Sequence, residues 1–341
     1  MTDIRDRKKD HVELTVTDGT QYNMLTGFDR YYFNHNALPE IDFKQVSTEA
    51  RLLGRTFNFP LFISSMTGGY ADAGPVNAVI AQFCEAENLP FGVGSQRAML
   101  EDESLTETFS VVREKAPNAF IASNIGGAQL IGGLKPRSLK LLIDSIRADA
   151  IIVHLNPLQE LMQPEGDRNF SGILKGIEKL VSDTQLPVIV KETGAGISQH
   201  TAKRVLNAGA AVIDVAGGGG TSWAKVENFR GTNAKANHSF DEWGIPTVEC
   251  ILEISKLEWE RGFEMVASGG IRSAFDIAKS LCLGAHFTAS AQPVIKAIKE
   301  NGYEGLKELY ERWENDLKII LTLLGHPDIQ SLKESDLRVK A

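Results

Sequence analysis

The chain has 341 residues, of which 43% are hydrophobic and 23% charged, a composition typical of a globular protein. Its net charge of −8 argues against a nucleic-acid partner, and no apolar run approaches the about 20 residues that cross a bilayer. The first residues lack the apolar core of a signal peptide. Because Cys84, Cys250 and Cys282 lie in apolar-periodic segments, we expect buried, reduced thiols in a cytoplasmic protein without a membrane partner.

Positive charge is concentrated near the start of the chain, in Arg5, Arg7, Lys8, Lys9 and His11. In a chain that is acidic overall, this cluster is either a solvated tail or a clamp for an anionic substrate. The composition alone leaves both interpretations open.

Eight short apolar or β-branched runs predict strands, and helical patterns lie between most of them. Strands and helices that alternate through eight units are typical of a (β/α)8 TIM barrel in the α/β class. Two segments fall outside the predicted barrel units: an N-terminal extension over residues 1–60 and an insertion between strands six and seven over residues 217–263. The eight runs are 61–64, 90–93, 120–123, 151–154, 188–191, 212–215, 265–268 and 286–289.

One long amphipathic helix follows the last predicted strand. Apolar residues from Leu306 to Leu324 recur at spacings of three and four, and Gly325 ends the pattern. No repeat or linker divides the chain, so we expect a single domain over residues 1–341. The residues after Ser331 are polar, and their pattern does not decide whether they are ordered.

Four polar residues crowd the end of the fourth predicted strand. His154, Asn156, Gln159 and Glu160 follow an apolar run, and Pro157 forbids a simple continuation of the strand. The carboxyl ends of the strands are where active sites lie in α/β barrels, so this segment is the first candidate for chemistry. A polar loop that caps a helix is the alternative.

Glycine-rich segments with hydroxyl and amide side chains follow five other predicted strands. Glycine lets the backbone approach a ligand closely, and the side chains offer donors and acceptors to a flat heteroaromatic ring. We therefore expect a large planar cofactor at the barrel mouth. The segments are 65–69, 94–97, 124–127, 191–194 and 217–223.

The loops after strands seven and eight predict a phosphate site. Residues 268–273 read Ser-Gly-Gly-Ile-Arg-Ser, and Ala289-Ser290-Ala291 follow the eighth strand. Loops at these positions of a barrel commonly bind phosphate, although a tight turn alone also explains Gly269 and Gly270. A planar ring and a phosphate together indicate flavin mononucleotide (FMN). Lys191 then faces either the N1/O2 edge of the flavin or an acid such as Glu192.

These segments resemble the type 2 isopentenyl-diphosphate isomerases in family order over about residues 7–325. The blocks His-Leu-Asn-Pro-Leu-Gln-Glu and Arg-Lys-x-x-His are specific to that family, whereas the glycine-rich loops occur in other flavin barrels. Gly127 and Gly218 stand where alanine is frequent in the family. The matching segments are 7–11, 65–69, 92–97, 124–126, 154–160, 191–194, 219–223 and 268–272.

The resemblance implies a role for each matched residue. Glu160 is the implied Mg²⁺ ligand, and the implied catalytic residues are Gln159, His154, Asn156 and Lys191. The implied substrate-binding residues are Arg7, Lys8, His11, Ser95, Gln96, Arg97, His154, Asn156 and Gln159. The implied FMN-binding residues are Ser65, Met66, Thr67, Ser95, Asn124, Lys191, Thr221, Gly269, Gly270, Ile271, Arg272, Ala289 and Ser290.

The resemblance also implies the reaction. Enzymes of that family interconvert isopentenyl diphosphate and dimethylallyl diphosphate by moving a proton between allylic carbons. Reduced FMN serves as acid and base in this scheme, Mg²⁺ holds the diphosphate, and NADPH only reduces the flavin. A homo-oligomer is expected as well, because flavin barrels often assemble.

Other interpretations fit the sequence less well. An FMN-dependent 2-hydroxy acid oxidoreductase needs a histidine base near strand seven, and residues 268–270 offer none. A dehydrogenase of the inosine-monophosphate type needs a cysteine after strand six, and residues 217–223 have none. A sensor barrel that binds a phosphorylated ligand leaves the cluster of His154, Asn156, Gln159 and Glu160 unexplained.

Overall fold

The computed structural model describes residues 4–230, 236–259 and 262–340, with side chains from Asp10 onward. The strands in these ranges are short and alternate with helices over most of the chain. In chain order they are β1 Tyr31–Phe33, β2 Ala50–Leu52, β3 Arg55–Phe57, β4 Leu61–Ile63, β5 Phe91–Gly92, β6 Ile121–Gly126, β7 Ala150–Leu155, β8 Val188–Glu192, β9 Val212–Asp214, β10 Glu264–Ala267, β11 Phe287–Ser290 and β12 Leu337–Val339.

Strands β4 to β11 form a closed barrel in the order β10-β11-β4-β5-β6-β7-β8-β9, and all neighbouring pairs are parallel. The eight strands expected from the apolar runs are these eight, which confirms the predicted (β/α)8 barrel. Their side chains are almost all buried because helices cover the outside of the barrel and side chains fill its inside. Cys84, Cys250 and Cys282 are buried and free, as expected.

Helices follow the barrel strands and form the outer layer. In chain order they are α1 Ile4–Thr15, α2 Ala73–Glu87, α3 Arg97–Glu101, α4 Glu107–Lys115, α5 Pro136–Asp144, α6 Pro157–Met162, α7 Ile173–Asp183, α8 Gln199–Asn207, α9 Trp223–Arg230, α10 Thr247–Ser255, α11 Ala274–Cys282 and α12 Gln292–Leu324. Short 3₁₀ turns occupy Asp18–Thr20, Phe28–Arg30, Phe43–Gln45, Glu103–Leu105, Gly127–Leu130, His238–Phe240, Ile329–Ser331 and Glu334–Asp336.

Helix α12 is longer than its apolar stripe predicts. The stripe from Leu306 to Leu324 is buried as expected, but the helix begins at Gln292. Asn301 and Gly302 leave helical geometry, and Gly302 has a φ of +57°, so the helix consists of two parts joined at a kink. The first part of α12 packs beside the barrel mouth, where Gln292 and Ile295 line a cleft described below.

The described part of the insertion contains helices α9 and α10, and the N-terminal extension packs against it. The backbone N–H of Tyr22 donates to the carbonyl of Gly220 over 2.9 Å, and its hydroxyl donates to the carbonyl of Trp243 over 2.7 Å. The ammonium of Lys225 donates to the carbonyl of Gln21 over 2.8 Å. These contacts place helix α1 and helix α9 side by side at the mouth of the barrel.

The polar segment after Ser331, which the sequence left open, forms a 3₁₀ turn and strand β12. Strand β12 pairs antiparallel with β1, with Tyr31 opposite Val339 and Phe33 opposite Leu337. The carboxylate of Asp336 lies 2.9 Å from Nε2 of His326, and both side chains are largely buried. The C-terminal segment therefore fastens the N-terminal extension to the barrel.

Candidate active site at the carboxyl ends of the barrel strands

Two adjoining clefts lie at the carboxyl ends of the barrel strands. We call them the glycine cleft, which the loops after β9, β10 and β11 line, and the polar cleft, which the ends of β5, β6 and β7 line. The glycine cleft has an empty space of about 980 Å³, including its open mouth. Six residues line both clefts and therefore form their boundary: His11, Ser65, Met66, Lys191, Thr193 and Trp223.

The glycines of the glycine cleft are required where its loops meet. A Cβ on Gly269 would lie 2.1 Å from the carbonyl oxygen of Gly217, and one on Gly220 would lie 2.6 Å from the nitrogen of Gly270. Gly269 and Gly270 also have φ values of +94° and +76°. Gly269 and Gly270 therefore do form the tight turn that the sequence analysis considered, and closely packed main chain forms the wall of the cleft.

Several residues that we expected to bind the phosphate make hydrogen bonds to other residues of the protein. The guanidinium of Arg272 donates to the carbonyl of Gly219 over 2.9 Å and to Gln21 over 3.2 Å. The hydroxyl of Ser290 donates to the carbonyl of Ile271 over 2.8 Å. Together with Thr221, Gly269, Gly270 and Ala289, these residues line the glycine cleft. The structure thus brings the residues predicted at the phosphate to this cleft, whereas Thr67, Ser95 and Asn124, predicted at the flavin ring, line the polar cleft.

Helix α11 begins directly after this wall and is capped by Ser273. Its hydroxyl accepts a hydrogen bond from the N–H of Asp276 over 3.3 Å and donates to the Asp276 carboxylate over 2.9 Å. This reciprocal contact holds the first turn of α11 and the end of the 268–272 loop.

We expect Ser273→Ala to lower the free energy of unfolding by about 1 kcal/mol, because it removes the hydroxyl that caps α11. Urea denaturation followed by circular dichroism measures this difference. Ser138→Ala, at a partly exposed position in α5, serves as the matched control and should change the value by less than about 0.5 kcal/mol. Equal values for the two variants would contradict the capping role.

Lys191 stands at the floor of both clefts and is buried. Its ammonium lies 3.4 Å from the carboxylate of Asp214, so the acid that pairs with it is not Glu192. Glu192 instead accepts hydrogen bonds from the backbone N–H groups of residues 193–195. Burial raises the pKa of Glu192, and these N–H groups oppose that rise.

The polar cleft contains the segment that the sequence marked first. The amide of Asn156 donates to Gln159 and to Glu160, each over 3.1 Å, and Nδ1 of His154 lies 2.8 Å from the amide oxygen of Asn124. Because Pro157 opens helix α6, the chain turns there, and these side chains face one space. Met66, Thr67, Ser95 and Arg97 line the same cleft.

Gln96 does not reach either cleft. Its side chain is completely buried, and its amide donates to the carbonyl of Leu142 while its oxygen accepts from the N–H of Asn124. The expected contact of Gln96 with substrate is therefore not what the structure shows. Gln96 instead supports the end of β6, because its side-chain oxygen accepts the hydrogen bond from Asn124 on that strand.

The sequence analysis missed Glu227, whose side chain is completely buried beside the polar cleft. One carboxylate oxygen lies 2.9 Å from Nε2 of His11 and accepts from the amides of Gln159 over 3.1 Å and Gln163 over 2.6 Å. The other oxygen lies 3.0 Å from Nε of Arg230. The sequence offered one indication of this position: Glu227 follows Trp223 by four residues, so the two side chains lie on the same face of α9.

Burial alone would raise the pKa of Glu227, but its partners reverse the direction. The hydrogen bond and charge of His11, the charge of Arg230 and the hydrogen bond from Gln163 hold this pKa below its usual value. The carboxylate is therefore charged at neutral pH and fixes both His11 and Gln159. His11 also meets the ring of Trp223 edge-on, with 5.1 Å between the ring centres.

Arg97 lies at the rim of the polar cleft between two acids. Its Nε is 2.9 Å from Glu101, and its Nη1 is 3.2 Å from Asp167. Arg7 and Lys8, which the sequence analysis placed at the same anion, fall within α1, but their side chains lie outside the described residues. Of the predicted anion clamp, the structure describes His11, Ser95 and Arg97.

Comparison with known proteins gives a consistent result over nearly the whole chain. The chain is 42% identical to an isopentenyl-diphosphate delta-isomerase of Chlorobium phaeobacteroides, over 98% of this chain and 95% of that protein. It is 39% identical to one of Rickettsia bellii, over 99% and 98%. A family model described as FMN-dependent dehydrogenase matches residues 154–339.

The chain belongs to the isopentenyl-diphosphate delta-isomerase family. It also belongs to the wider FMN-dependent dehydrogenase family of barrels. Family membership makes it an enzyme of the isomerase group, in agreement with the resemblance of its motifs.

Solved structures support the fold alone. The flavin-binding domain of baker's yeast flavocytochrome b2 has a TM-score of 0.71 at 18% identity, with 94% of this chain and 79% of that chain covered. An (S)-mandelate dehydrogenase has a TM-score of 0.68 at 15% identity, with 98% and 99% covered. Among the residues that the structure describes, no helix is long and apolar enough to cross a membrane.

Proposed function

We propose that the chain interconverts isopentenyl diphosphate and dimethylallyl diphosphate, with reduced FMN in the glycine cleft and Mg²⁺ and substrate in the polar cleft. The observation that carries this proposal is the boundary between the clefts. His11, Lys191 and Trp223 line both of them, so a ring in one cleft and an alkene in the other would meet at these residues. The near full-length isomerase relatives support the same substrate pair.

The residues of the glycine cleft fit FMN. The hydroxyl of Ser65 is buried and has no hydrogen-bond partner among the described residues, so a polar ligand atom in the cleft can satisfy it. Lys191 offers a positive charge at the floor, and the 268–272 loop leads into a helix N-terminus that suits a phosphate. When bound, reduced FMN supplies an electron-rich ring that can exchange a proton with the substrate.

Glu160 fits a Mg²⁺ ion that is shared with a diphosphate. The described residues contain no cluster of three or more side chains that could hold a metal alone. Mg²⁺ usually needs only one or two carboxylates, because water and substrate phosphates complete its shell. Glu160 lines the polar cleft, and Asn156 and the N–H of Asp167 orient its two oxygens.

The remaining residues orient the substrate and exclude water. Arg97 and His11, together with Arg7 and Lys8, bind the diphosphate through charge-assisted hydrogen bonds. His154, Asn156 and Gln159 surround the carbon end, and Glu227 keeps His11 and Gln159 in place. The reaction has no net redox change, so NADPH serves only to reduce the flavin before turnover.

The test is the visible spectrum and the cofactor dependence of the purified protein. We expect flavin absorption bands that bleach with NADPH, and isomerisation only when reduced FMN and Mg²⁺ are both present. A colourless protein, or full turnover after removal of flavin or Mg²⁺, would overturn the proposal. Oxidation of a 2-hydroxy acid without isomerisation would favour the oxidoreductase instead. The cytoplasmic location and the homo-oligomer remain predictions.

For the basic cluster in α1, we expect Arg7→Ala to lower kcat/KM by about one to two orders of magnitude. A charge-assisted contact with the diphosphate contributes roughly 1.5–3 kcal/mol, and a solvated tail contributes nothing to the transition state. Steady-state kinetics measure the effect, and the flavin spectrum and Tm should stay unchanged. Unchanged kcat/KM in an Arg7→Ala, Lys8→Ala double variant would make this segment a solvated tail.

A further inference from the structure

We infer that Asp214 is a positioning residue that fixes the ammonium of Lys191 and sets the reduction potential of the flavin. The inference rests on one part of the proposed function, namely that FMN occupies the glycine cleft. It concerns Asp214, a buried acid that the proposed mechanism has not used, and its pairing with Lys191. Its parts are Asp214 on β9, Lys191 on β8 and Ser268, which follows β10.

The three residues form a chain of contacts across three neighbouring strands. Lys191 and Asp214 are register partners on β8 and β9, and their charged groups lie 3.4 Å apart. The second oxygen of Asp214 accepts a short hydrogen bond from the hydroxyl of Ser268, over 2.5 Å. Asp214 is 5% exposed and Ser268 is 4% exposed, so little water screens these contacts.

This arrangement restricts where the ammonium can lie. A lysine side chain has four rotatable bonds, and an unpaired ammonium in a buried cleft is costly to desolvate. Ser268 occupies one oxygen of Asp214 and leaves the other directed at Lys191. The strand register and the serine together hold the ammonium at the floor of the cleft.

The carboxylate also limits how much positive charge the cleft presents. The Lys191–Asp214 pair is neutral as a unit, so a ring at this floor meets a dipole and not a full positive charge. Reduction adds electrons to the flavin, and positive charge near its pyrimidine edge favours the reduced anion. Removal of the carboxylate charge releases the Lys191 ammonium to pair with the ring instead, and therefore favours reduction.

The experiment measures the midpoint potential of bound FMN against a reference dye. Asp214→Asn keeps the shape of the side chain and removes its charge, and we expect a more positive potential, with the equilibrium constant for reduction raised roughly tenfold or more. Ser268→Ala keeps the charge and removes the hydroxyl dipole, so we expect a smaller shift toward negative potential. An unchanged potential in both variants would overturn the inference.

A double-mutant cycle tests whether Asp214 acts through Lys191. In a Lys191→Met background, we expect Asp214→Asn to move the potential by less than half as much as in the original chain. An equal shift in both backgrounds would refute the positioning role. Asp149→Asn is the control for stability, since Asp149 pairs with Arg55 and Arg113 at the start of β7; it should lower Tm and leave the potential unchanged.

The midpoint potential can be measured whether or not the protein is an active isomerase. If the original chain binds no flavin, the proposed function fails and the inference fails with it. If the chain binds flavin but Asp214→Asn and Ser268→Ala leave its potential in place, only the inference is refuted. Loss of folding in Asp214→Asn leaves Ser268→Ala as the deciding variant, because removal of one hydroxyl is a smaller change.

Discussion

Glu227→Ala is expected to remove nearly all isomerase activity and to lower the free energy of unfolding by about 3–5 kcal/mol. The reason is that the substitution removes one of the two carboxylates that pair with Arg230, the other being Glu165, and frees His11 and Gln159 from their shared anchor. Urea denaturation gives the stability change, and steady-state kinetics give the loss of kcat/KM, which we expect to exceed 100-fold.

Two further variants separate the stability of the fold from the orientation of the substrate site. Glu308→Ala removes an exposed acid on α12 and should change the free energy of unfolding by less than about 0.5 kcal/mol. Glu227→Gln keeps the shape and should retain more stability than alanine, yet lose activity because His11 loses its charged partner. Full activity in Glu227→Gln would show that the charge is not needed.

The lowered pKa of Glu227 also predicts the sign of a pH effect on stability. A carboxyl group with a depressed pKa in the folded state stabilises the fold fully above the unfolded value, which is about 4.3. This contribution is lost as the pH falls through the lower folded value. The free energies of unfolding of the original chain and of Glu227→Gln, measured against pH, should therefore differ at neutral pH and converge at low pH.

Glu160→Gln is expected to reduce the Mg²⁺-dependent rate by about 100-fold or more and to leave the flavin spectrum unchanged. Loss of a residue that only supports a metal ligand typically costs 10- to 100-fold, so loss of the ligand itself should reach at least the upper end. Glu160 lines the polar cleft and not the glycine cleft, which is why the colour should persist. Rates measured against Mg²⁺ concentration test the effect.

The control for Glu160 is Glu178→Gln, which removes the charge of an exposed acid on α7. It should leave both the rate and its Mg²⁺ dependence unchanged. If Glu160→Gln loses its flavin, then the residue belongs to the cofactor side of the site. If it keeps full activity at low Mg²⁺ concentration, Glu160 is not the metal ligand.

The barrel could be predicted because its strands are buried on both faces. Such strands are continuous apolar runs, and each of the eight runs overlaps a barrel strand from β4 to β11. Strands β1, β2, β3 and β12 were not predicted. They have three residues each and pair outside the barrel, so no local pattern indicates them.

The candidate site was predictable where polar residues follow a strand directly. His154, Asn156, Gln159 and Glu160 were found in this way, and the structure places them in one cleft. Glu227 was missed because a single acid within a helix is usually exposed, and its burial depends on partners far away in the chain. Gln96 was misplaced for the same reason, since spacing does not show which way an amide points.

The pairing of β1 with β12 bears on the order in which the molecule assembles. Tyr31 and Val339 lie almost the full chain apart, so this ladder is among the most non-local contacts in the fold and should form late. Arg30 and Asn34, which flank β1, also make backbone hydrogen bonds to the C-terminal segment, and α1 with His11 belongs to the same extension. His11 lines both clefts and Gln21 lines the glycine cleft, so a local opening of this ladder can disturb both clefts without unfolding the barrel.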